Sequence, residues 1–265
     1  MVNNIGKEEI IKTAKECLKS FKRIVKHEPY KIRGVFSSEV LLIISIAQYF
    51  GVKTIIESGR ARGYSTKLFA EFFKKDPNFK IISIDSDKNS KDAKYGEKQL
   101  KDYKNIQLVY GDTNKIIKEY ITDNCVVFID GPKGDNALIL AAKLINNDYV
   151  KAICIHDFHK NAFQRNIFEI IFTNTFFSDD KDFVEEFRFL DDKCWKALKD
   201  RGEAPYLRKG QKIESYASTV GVIFNGSDAV NQRVLLNYQE YLKQKDKIGI
   251  KKFIKEIFRR MLNIK

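Results

Sequence analysis

Two short segments of the sequence carry side chains that could remove a proton from a hydroxyl group. The first places Asp130 three residues before Lys133, and the second reads His-Asp-Phe-His over residues 156–159. A carboxylate with a nearby amine suits the deprotonation of a hydroxyl, with Lys133 as general base if burial or a cation lowers its pKa. His156 or His159 is the alternative base, because an imidazole titrates near neutral pH. A histidine that only packs at a strand end is the structural alternative.

A glycine-rich turn from Glu57 to Thr66 has the residue types of a cofactor-binding loop. Glycines let the backbone turn sharply and approach a ligand closely, and the helix that follows presents free N–H groups. The turn reads Glu-Ser-Gly-Arg-Ala-Arg-Gly-Tyr-Ser-Thr. It predicts a site for a nucleoside-bearing cofactor, with these expected contacts: Glu57, Gly59, Ala61, Gly63 and Ser65. A purely structural turn is the alternative, since such loops also occur without a ligand.

Acidic residues follow the next two apolar runs. IISID ends in Asp85, with Asp87 behind it, and IQLVY is followed by Gly111 and Asp112. A carboxylate at the carboxyl end of a strand can accept hydrogen bonds from both ribose hydroxyls of a nucleoside, and Asp85 is the better candidate for that role. Asp112 is suited to reading an adenine amino group or to closing the pocket. Each aspartate could instead cap a loop.

The elements that must position these residues follow from a change of hydrophobic period. Apolar residues recur at helical spacing from Lys7 to Val25, and Ser37 to Phe50 is nearly apolar all round, with a serine as its capping signal. From Lys53, short apolar runs alternate with amphipathic stretches five times, ending at AICIH over 152–156. This alternation predicts a parallel sheet with helices on both faces, whose ligands bind beyond the carboxyl ends of the strands.

After His156 the alternation breaks into a mixed region that contains Trp195. Residues 218–224 then return as a predicted strand and 228–243 as a predicted helix. We expect one domain with a separate tail, divided as follows: the domain over 1–245, its N-terminal helices over 1–50, an insertion or lid over 160–215, and a basic amphipathic helix over 246–265.

Together these motifs resemble those of class I S-adenosylmethionine-dependent methyltransferases of the small-molecule type, over roughly residues 36–159. The motifs are ESGRARGYST, IDSD, YGD, FIDGPKG and CIHD, in this order. The resemblance implies a Rossmann-like three-layer sandwich with a mostly parallel, seven-stranded sheet. It also implies S-adenosylmethionine as cofactor, with Glu57, Gly59 and Gly63 around its methionine end, Asp85 on the ribose and Asp112 near the adenine.

The reaction edge resembles that of catechol-type O-methyltransferases, which have Asp-x-x-Lys after the fourth strand and Asp-Asn after the fifth. In those enzymes the edge holds a magnesium ion that binds two substrate oxygens. Asp130, Lys133 and Asp157 match this pattern, and Asp130 is also expected beside the cofactor. Phe158 stands where the asparagine ligand would be.

The metal set expected from this partial match is Asp130, Asp157 and His159. His156 or Asn161 could complete the site instead, and imidazole ligands favour a transition metal, so the candidate ions are Mg, Mn and Co. Catalysis by a histidine without any metal stays open.

The positive charge suggests further contacts. The formal charge of +13 is concentrated towards the C-terminus, where residues 248–265 place apolar side chains on one helical face and lysines and arginines on the other. This pattern is typical of a helix on an anionic membrane surface. Packing against the domain, or against a second copy in a homo-oligomer, is the equal alternative. Arg60, Arg62 and Trp195 are expected to contact the substrate, the arginines by facing an anionic group.

Cysteine usage and hydropathy predict a cytoplasmic protein. The four cysteines are widely spaced, which suggests neither a disulfide framework nor a zinc site. The N-terminus has no signal-peptide pattern, and no segment reaches the roughly 18 apolar residues of a membrane span. We therefore expect neither export nor a span, with peripheral binding at the inner face of the membrane through the C-terminal helix.

The predicted function is that of an O-methyltransferase acting on a hydroxyl of a polar small molecule, such as a sugar or glycan precursor. The competing hypothesis is a non-catalytic or RNA-directed protein of methyltransferase fold that binds polyanions or a membrane surface, which the positive charge favours. Carboxylates at the strand ends would repel phosphate, so nucleic acid is the less favoured partner. The missing Asn-Pro-Pro-Tyr signature argues against base methylation and leaves ribose methylation open.

Overall fold

A sheet of seven strands runs through the computed structural model, which describes residues 6–30, 34–159, 163–172, 175–201 and 219–225. The strands are β1 (Thr54–Ser58), β2 (Lys80–Asp85), β3 (Ile106–Tyr110), β4 (Cys125–Ile129), β5 (Val150–Ile155), β6 (Thr175–Phe177) and β7 (Gly221–Phe224). Their order is β3-β2-β1-β4-β5-β7-β6. The first five are parallel, and β7 pairs antiparallel with both β5 and β6. The predicted Rossmann-like, mostly parallel sheet is confirmed.

Helices cover the sheet and occupy most of the described chain outside it. The α-helices are α1 (Lys7–His27), α2 (Ser37–Tyr49), α3 (Tyr64–Phe73), α4 (Lys91–Leu100), α5 (Thr113–Ile116), α6 (Asp135–Leu144), α7 (Phe163–Ile171), α8 (Lys181–Phe187) and α9 (Asp192–Lys199). Short 3-10 helices continue α5 over Ile117–Tyr120 and α8 over Arg188–Asp191. None of the described helices is long and apolar enough to cross a membrane.

Both faces of the sheet are buried because apolar side chains occupy consecutive strand positions. Ile55 of β1 packs into the core formed with α1, α2 and α3, whereas Ile56 packs into the core on the other face. Phe128 and Val127 of β4 divide in the same way. Successive side chains of a strand point to opposite faces, so the near-continuous apolar runs are what a parallel sheet covered on both sides requires.

The start of α2 differs from the prediction. Phe36, and not a serine, is the N-cap residue, and Ser37 is already helical. The N–H of Phe36 donates to Oε2 of Glu39 at 2.8 Å, and the N–H of Ser38 donates to Oδ1 of Asp191 at 2.8 Å. The predicted serine cap was wrong because Asp191 accepts the N–H of the second helical residue, which an N-cap hydroxyl would otherwise accept, while Glu39 accepts the N–H of the N-cap residue itself.

The predicted insertion over 160–215 is described in part. Its described residues form α7, β6, α8 and α9. The strand β6 was not predicted, since three residues are too few to show an alternating pattern. Asn161, the predicted helix over 228–243 and the predicted C-terminal helix over 246–265 lie outside the described residues.

Candidate active site

The candidate site lies at the carboxyl ends of β1 and β4, where the order of strands reverses direction. Strand β1 pairs with β2 on one side and with β4 on the other. Gly59 and Gly131 follow these two strands, and a Cβ added to Gly59 would lie 2.6 Å from the backbone nitrogen of Gly131. The two loops therefore meet at the switch point of the sheet, which is where ligands of open α/β sheets bind.

Two glycines of the first loop are required by its backbone. Gly59 has a φ of +88° and Gly63 a φ of +74°, conformations that L side chains rarely adopt. A Cβ on Gly63 would also lie 2.7 Å from Cδ1 of Leu100. Gly63 is the N-cap of α3, and no side chain caps this end of the helix. The first N–H groups of α3 are thus suited to hydrogen-bond a ligand.

Glu57, in β1, fixes the shape of the loop through hydrogen bonds. Its buried carboxylate accepts hydrogen bonds from the hydroxyls of Ser65 and Thr66, and from that of Ser83 at 2.7 Å. Burial raises the pKa of Glu57, although these hydroxyls and the charge of Arg60 oppose the shift. The carboxylate joins β1, β2 and the start of α3, which keeps the loop in one shape.

Asp85 closes the same loop from β2. One of its oxygens accepts the N–H of Arg60 at 2.9 Å and that of Ala61 at 3.0 Å, and the other accepts the N–H of Asp87 at 3.0 Å. Asp112 caps α5 by accepting the N–H of Asn114, and about half of its side chain is exposed (49%). The cofactor roles predicted for both aspartates stay predictions.

The two loop arginines make contacts within the protein. The guanidinium of Arg60 is buried, donates to the carbonyl oxygen of Ser83 at 2.7 Å and lies 4.8 Å from the ring centroid of Tyr110. Nε of Arg62 lies 2.6 Å from Oδ1 of Asp92. Direct contact between either arginine and a substrate stays a prediction.

Four charged side chains meet beyond β4 and β5. Nζ of Lys133 donates to Oδ1 of Asp130 and lies 2.6 Å from Oδ2 of Asp157. Nδ1 of His156 lies 2.5 Å from Oδ1 of Asp130 and 3.4 Å from Oδ1 of Asp157. The structure thus brings together Asp130, Lys133 and His156 of the predicted catalytic residues.

The backbone at Asp157 is in an unusual conformation. Its φ is +67°, in the left-handed region that few residues other than glycine adopt. Such conformations persist where the surrounding structure holds them, and they concentrate at functional sites. The adjacent Phe158 is buried against Phe168, with ring centroids 5.3 Å apart. Its side chain belongs to the core, which accounts for the departure from the Asp-Asn pattern.

Charge sets the protonation of this cluster. Burial by itself would lower the pKa of His156, but the carboxylates of Asp130, Glu39 and Asp157 outweigh burial and raise it to about 10. Burial by itself would also lower the pKa of Lys133, but the carboxylates of Asp130 and Asp157 outweigh burial and raise it. Both residues are therefore cations at neutral pH in this arrangement. A base role for Lys133 requires the opposite, a lowered pKa.

Three of these residues have the geometry of a cation site. One ligand atom each from Asp130, His156 and Asp157 lies within 4.8 Å of the others, the single such group of acidic, histidine or cysteine side chains in the described ranges. His156 takes the place predicted for His159, which is half-buried after β5 and is not part of the group. Ligation and catalysis by His159 stay predictions.

Glu39 was not predicted as a site residue. It is 1% exposed, and its Oε2 lies 3.4 Å from Nε2 of His156. A single charged residue inside the otherwise uncharged, mostly apolar stretch SSEVLLIISIAQYF was the available signal, because buried charges are rarely retained without a partner.

Trp195 lies on α9 beside the start of α2. Its ring makes an edge contact with Phe36 at a centroid distance of 5.3 Å, and Phe36 makes another with Tyr30 at 6.0 Å. This aromatic group joins the predicted insertion to the N-terminal part of the chain. Substrate contact by Trp195 stays a prediction.

Comparisons with known proteins give the following similarities. Residues 8–148, more than half of the chain, match the model of a family described as O-methyltransferase. The structure is similar to a cofactor-bound protein from MTB (16% identity, TM-score 0.44, covering 81% of this chain and 90% of that one). It is also similar to an SAH-bound methyltransferase from Podospora anserina (14% identity, TM-score 0.43, covering 83% of this chain and 97% of that one). A third similar structure is an O-methyltransferase from Bacillus cereus in complex with SAH (15% identity, TM-score 0.42, covering 80% of this chain and 90% of that one). No curated protein matches the sequence.

Proposed function

The chain belongs to the O-methyltransferase family, and from this membership we propose that it transfers the methyl group of S-adenosylmethionine to a hydroxyl of a polar small molecule. The observation that carries the proposal is the contact between the two loops at the switch point. It places the glycine turn after β1 against the backbone of Gly131, which directly follows Asp130 and lies two residues before Lys133. A cofactor loop and an acid-base cluster thus share one edge of the sheet.

The first loop fits a nucleoside-bearing cofactor. Gly59 and Gly63 give the loop a sharply turned backbone that packs closely on Gly131 and Leu100, and α3 begins without a side-chain cap. The residues proposed to hold the cofactor are Glu57, Gly59, Ala61, Gly63, Ser65, Asp85, Asp112 and Asp130. S-adenosylmethionine, when bound, supplies an activated methyl group on a sulfonium. The carboxylate of Asp85 retains about one of its roughly four lone-pair sites for a ribose hydroxyl, since three N–H groups already donate to it.

The reaction edge is proposed to activate the acceptor hydroxyl. Asp130 is a carboxylate able to receive the hydroxyl proton, and the ammonium of Lys133 stabilises the negative charge that develops on the oxygen. His156 holds Asp130 in place through its Nδ1 contact. The carboxylate of Asp157 also contacts the ammonium of Lys133 and partly neutralises its charge. His159 is the further candidate for proton transfer.

The same edge fits a divalent cation. Asp130, Asp157 and His156 offer two oxygens and one nitrogen, a donor set that suits Mn²⁺ or Co²⁺ as well as Mg²⁺. Such an ion would supply positive charge that lowers the pKa of a coordinated hydroxyl. Lys133 would have to give up at least one of its two carboxylate contacts. His159 is the alternative nitrogen donor.

The acceptor class is proposed from chemistry and position. A cluster of carboxylates and cations is suited to several adjacent hydroxyls, as in a sugar or glycan precursor, and Arg60, Arg62 and Trp195 are the candidate contacts. The domain over 1–245 is proposed to act as one catalytic unit, with 160–215 as its substrate lid. The predicted helix over 246–265 is proposed to hold the enzyme at an anionic membrane surface, and a homo-oligomer is the other arrangement it would support.

Calorimetry with S-adenosylmethionine tests the proposal, followed by transfer of a labelled methyl group to a panel of sugars, nucleotide sugars and catechols. We expect cofactor binding and transfer to a hydroxyl-rich acceptor. Absence of cofactor binding, together with salt-dependent binding of RNA, would overturn the proposal in favour of the non-catalytic polyanion-binding hypothesis.

A further inference from the structure

We propose that Glu39 is a positioning residue that accepts the Nε2–H of His156 and so keeps Nδ1 of that ring turned towards Asp130. The proposal rests on the proposed function only for its consequence in catalysis. Glu39 belongs to α2, whereas His156 follows β5, so the fold brings together two segments far apart in the chain.

Each of the two side chains has a buried polar atom that needs a partner. Nε2 of His156 and Oε1 of Glu39 have no hydrogen-bond partner among the described residues. Buried polar atoms without partners are rare in folded proteins, because each one forfeits its hydrogen bonds to water. Nε2 lies 3.4 Å from Oε2 of Glu39, within the reach of an ion pair but without the alignment of a hydrogen bond. Closing that short gap satisfies the histidine.

Glu39 is held rigidly for this role. The N–H of Phe36 donates to its Oε2 at 2.8 Å, and the residue lies in the first turn of α2, where the helix dipole favours a negative charge. The helix around it is buried from Ser37 through Ala47. A carboxylate fixed in this way cannot turn to water, so its charge acts on the imidazole beside it.

The ring of His156 is restrained from its other sides. Its Nδ1 lies 2.5 Å from Oδ1 of Asp130, and the ring of Phe128 lies edge-on at a centroid distance of 6.4 Å. The hydrogen bond made by one imidazole nitrogen determines what the other nitrogen can do. With the Nε2–H held by Glu39, Nδ1 faces the reaction edge. There it donates its proton to Asp130 in the cationic ring, and it could bind a cation only after losing that proton.

Glu39 could instead serve only as the cap of α2, and the E39Q variant separates the two roles. Its amide oxygen can still accept the N–H of Phe36, so the cap and the fold are retained. A neutral oxygen is a weaker acceptor than a carboxylate, which weakens the bond to Nε2–H. The matched control is D191N, which alters the other carboxylate at the N-terminus of α2 without touching His156.

The ring nitrogens are followed by NMR of protein labelled with ¹⁵N in histidine and free of cofactor. The chain has three histidines, and the double variant H27Q/H159Q leaves His156 alone in the spectrum. We expect a solvent-protected Nε2–H signal that moves to lower proton chemical shift in E39Q and stays in place in D191N. An identical Nε2–H signal with and without E39Q would overturn the proposal and leave Glu39 as a helix cap.

Kinetics give the catalytic consequence. We expect E39Q to lower kcat by about 10-fold, the lower end of the effect of losing the hydrogen-bond partner of a metal-ligating histidine, with the Kd for S-adenosylmethionine unchanged. An unchanged kcat beside a shifted Nε2–H signal would overturn the positioning role. Failure of the wild-type protein to bind S-adenosylmethionine would instead count against the proposed function, since the NMR signal is measured without it.

Discussion

Nδ1 of His156 lies 2.5 Å from Oδ1 of Asp130, and this contact joins the ends of β4 and β5. Lys133 and Asp157 complete the cluster, with Nζ of Lys133 2.6 Å from Oδ2 of Asp157. Every charge in the cluster therefore depends on its neighbours, which makes single substitutions informative.

Replacing Lys133 with methionine should lower the rate of methyl transfer by on the order of 10²–10³-fold, the usual range for losing one group that stabilises charge developing in the transition state. The affinity for S-adenosylmethionine should be unchanged, because Lys133 contacts the two aspartates and His156 rather than the glycine loop. Labelled-methyl transfer and calorimetry measure the two effects. The control is Lys53→Met. Lys53 directly precedes β1, and its ammonium lies 2.7 Å from Oδ2 of Asp76 in the native protein. Loss of cofactor binding in Lys133→Met would make the lysine structural.

Replacing Gly59 with alanine should destabilise the fold more than replacing Gly51. Both glycines have positive φ, +88° and +61°, so both substitutions carry a backbone penalty of about 1–2 kcal/mol. A Cβ at Gly51 meets nothing within 4 Å, whereas one at Gly59 overlaps the backbone of Gly131. We expect an additional loss of about 1–3 kcal/mol for Gly59→Ala, measured by urea unfolding. Equal losses in the two variants would mean that the loops are not in tight contact.

Stability should fall as the pH rises from about 4 to 8 because of Asp191. Burial raises the pKa of Asp191 to about 8, against hydrogen bonds from Ser38 that lower it. The folded state therefore binds this proton more tightly than the unfolded chain, whose aspartate titrates near ~3.9. Stability is lost as the pH rises through that window, at no more than about 1.4 kcal/mol per pH unit.

The variant Asp191→Asn should flatten this pH dependence. Asp191 interacts electrostatically with the following titratable groups: Glu39, Asp192, Cys194, Tyr30 and Tyr64. The negative charges of Glu39 and Asp192 raise the pKa of Asp191, and the variant leaves both residues in place. Urea unfolding at several pH values between 4 and 8 makes the comparison. A slope that is the same in both proteins would assign the pH dependence to other groups.

Metal-free protein should bind Mn²⁺ or Co²⁺ through the Asp130 cluster. Asp157→Asn should weaken that affinity by at least about 10-fold, since even the loss of a ligand's hydrogen-bond partner has an effect of that size. The control is Asp123→Asn, an exposed carboxylate in the loop before β4. Calorimetry gives the affinities, and methyl transfer is assayed after chelation and after return of Mg²⁺, Mn²⁺ or Co²⁺. Activity that chelation leaves unaltered would remove the metal from the proposal.

Deleting residues 249–265 should release the protein from anionic vesicles. Each lysine or arginine near an anionic surface contributes about 1 kcal/mol of attraction, and this segment combines several such residues with apolar ones. Co-sedimentation with vesicles that contain phosphatidylserine measures the effect, and neutral phosphatidylcholine vesicles are the control. Undiminished binding of the truncated protein would exclude the membrane role of the predicted helix.

The sequence by itself determined the five parallel strands and β7, the glycine turn, and the carboxylates at the ends of β2, β3 and β4. These features are local: alternation of apolar runs reports strands and helices, and a residue directly after a strand must lie at its carboxyl edge. The pairing of Asp130 with Lys133 was predictable for the same reason, because the two are three residues apart. Membership of the O-methyltransferase family, expected from these motifs, is confirmed.

Only the tertiary structure decided which side chains meet across segments. Glu39 reaches His156 because α2 packs against β4, the neighbour of β5 in the sheet, and nothing in either segment alone encodes that approach. His156, and not His159, joins Asp130 and Asp157 in the group, since Nδ1 of His156 lies 2.5 Å from Oδ1 of Asp130 across the ends of β4 and β5. Arg60 follows β1 and Tyr110 ends β3, which is only two strands from β1 in the sheet although about 50 residues away in the chain. The guanidinium of Arg60 therefore lies buried over the ring of Tyr110. Contacts of this kind depend on the packing of whole elements, which short-range sequence patterns do not specify.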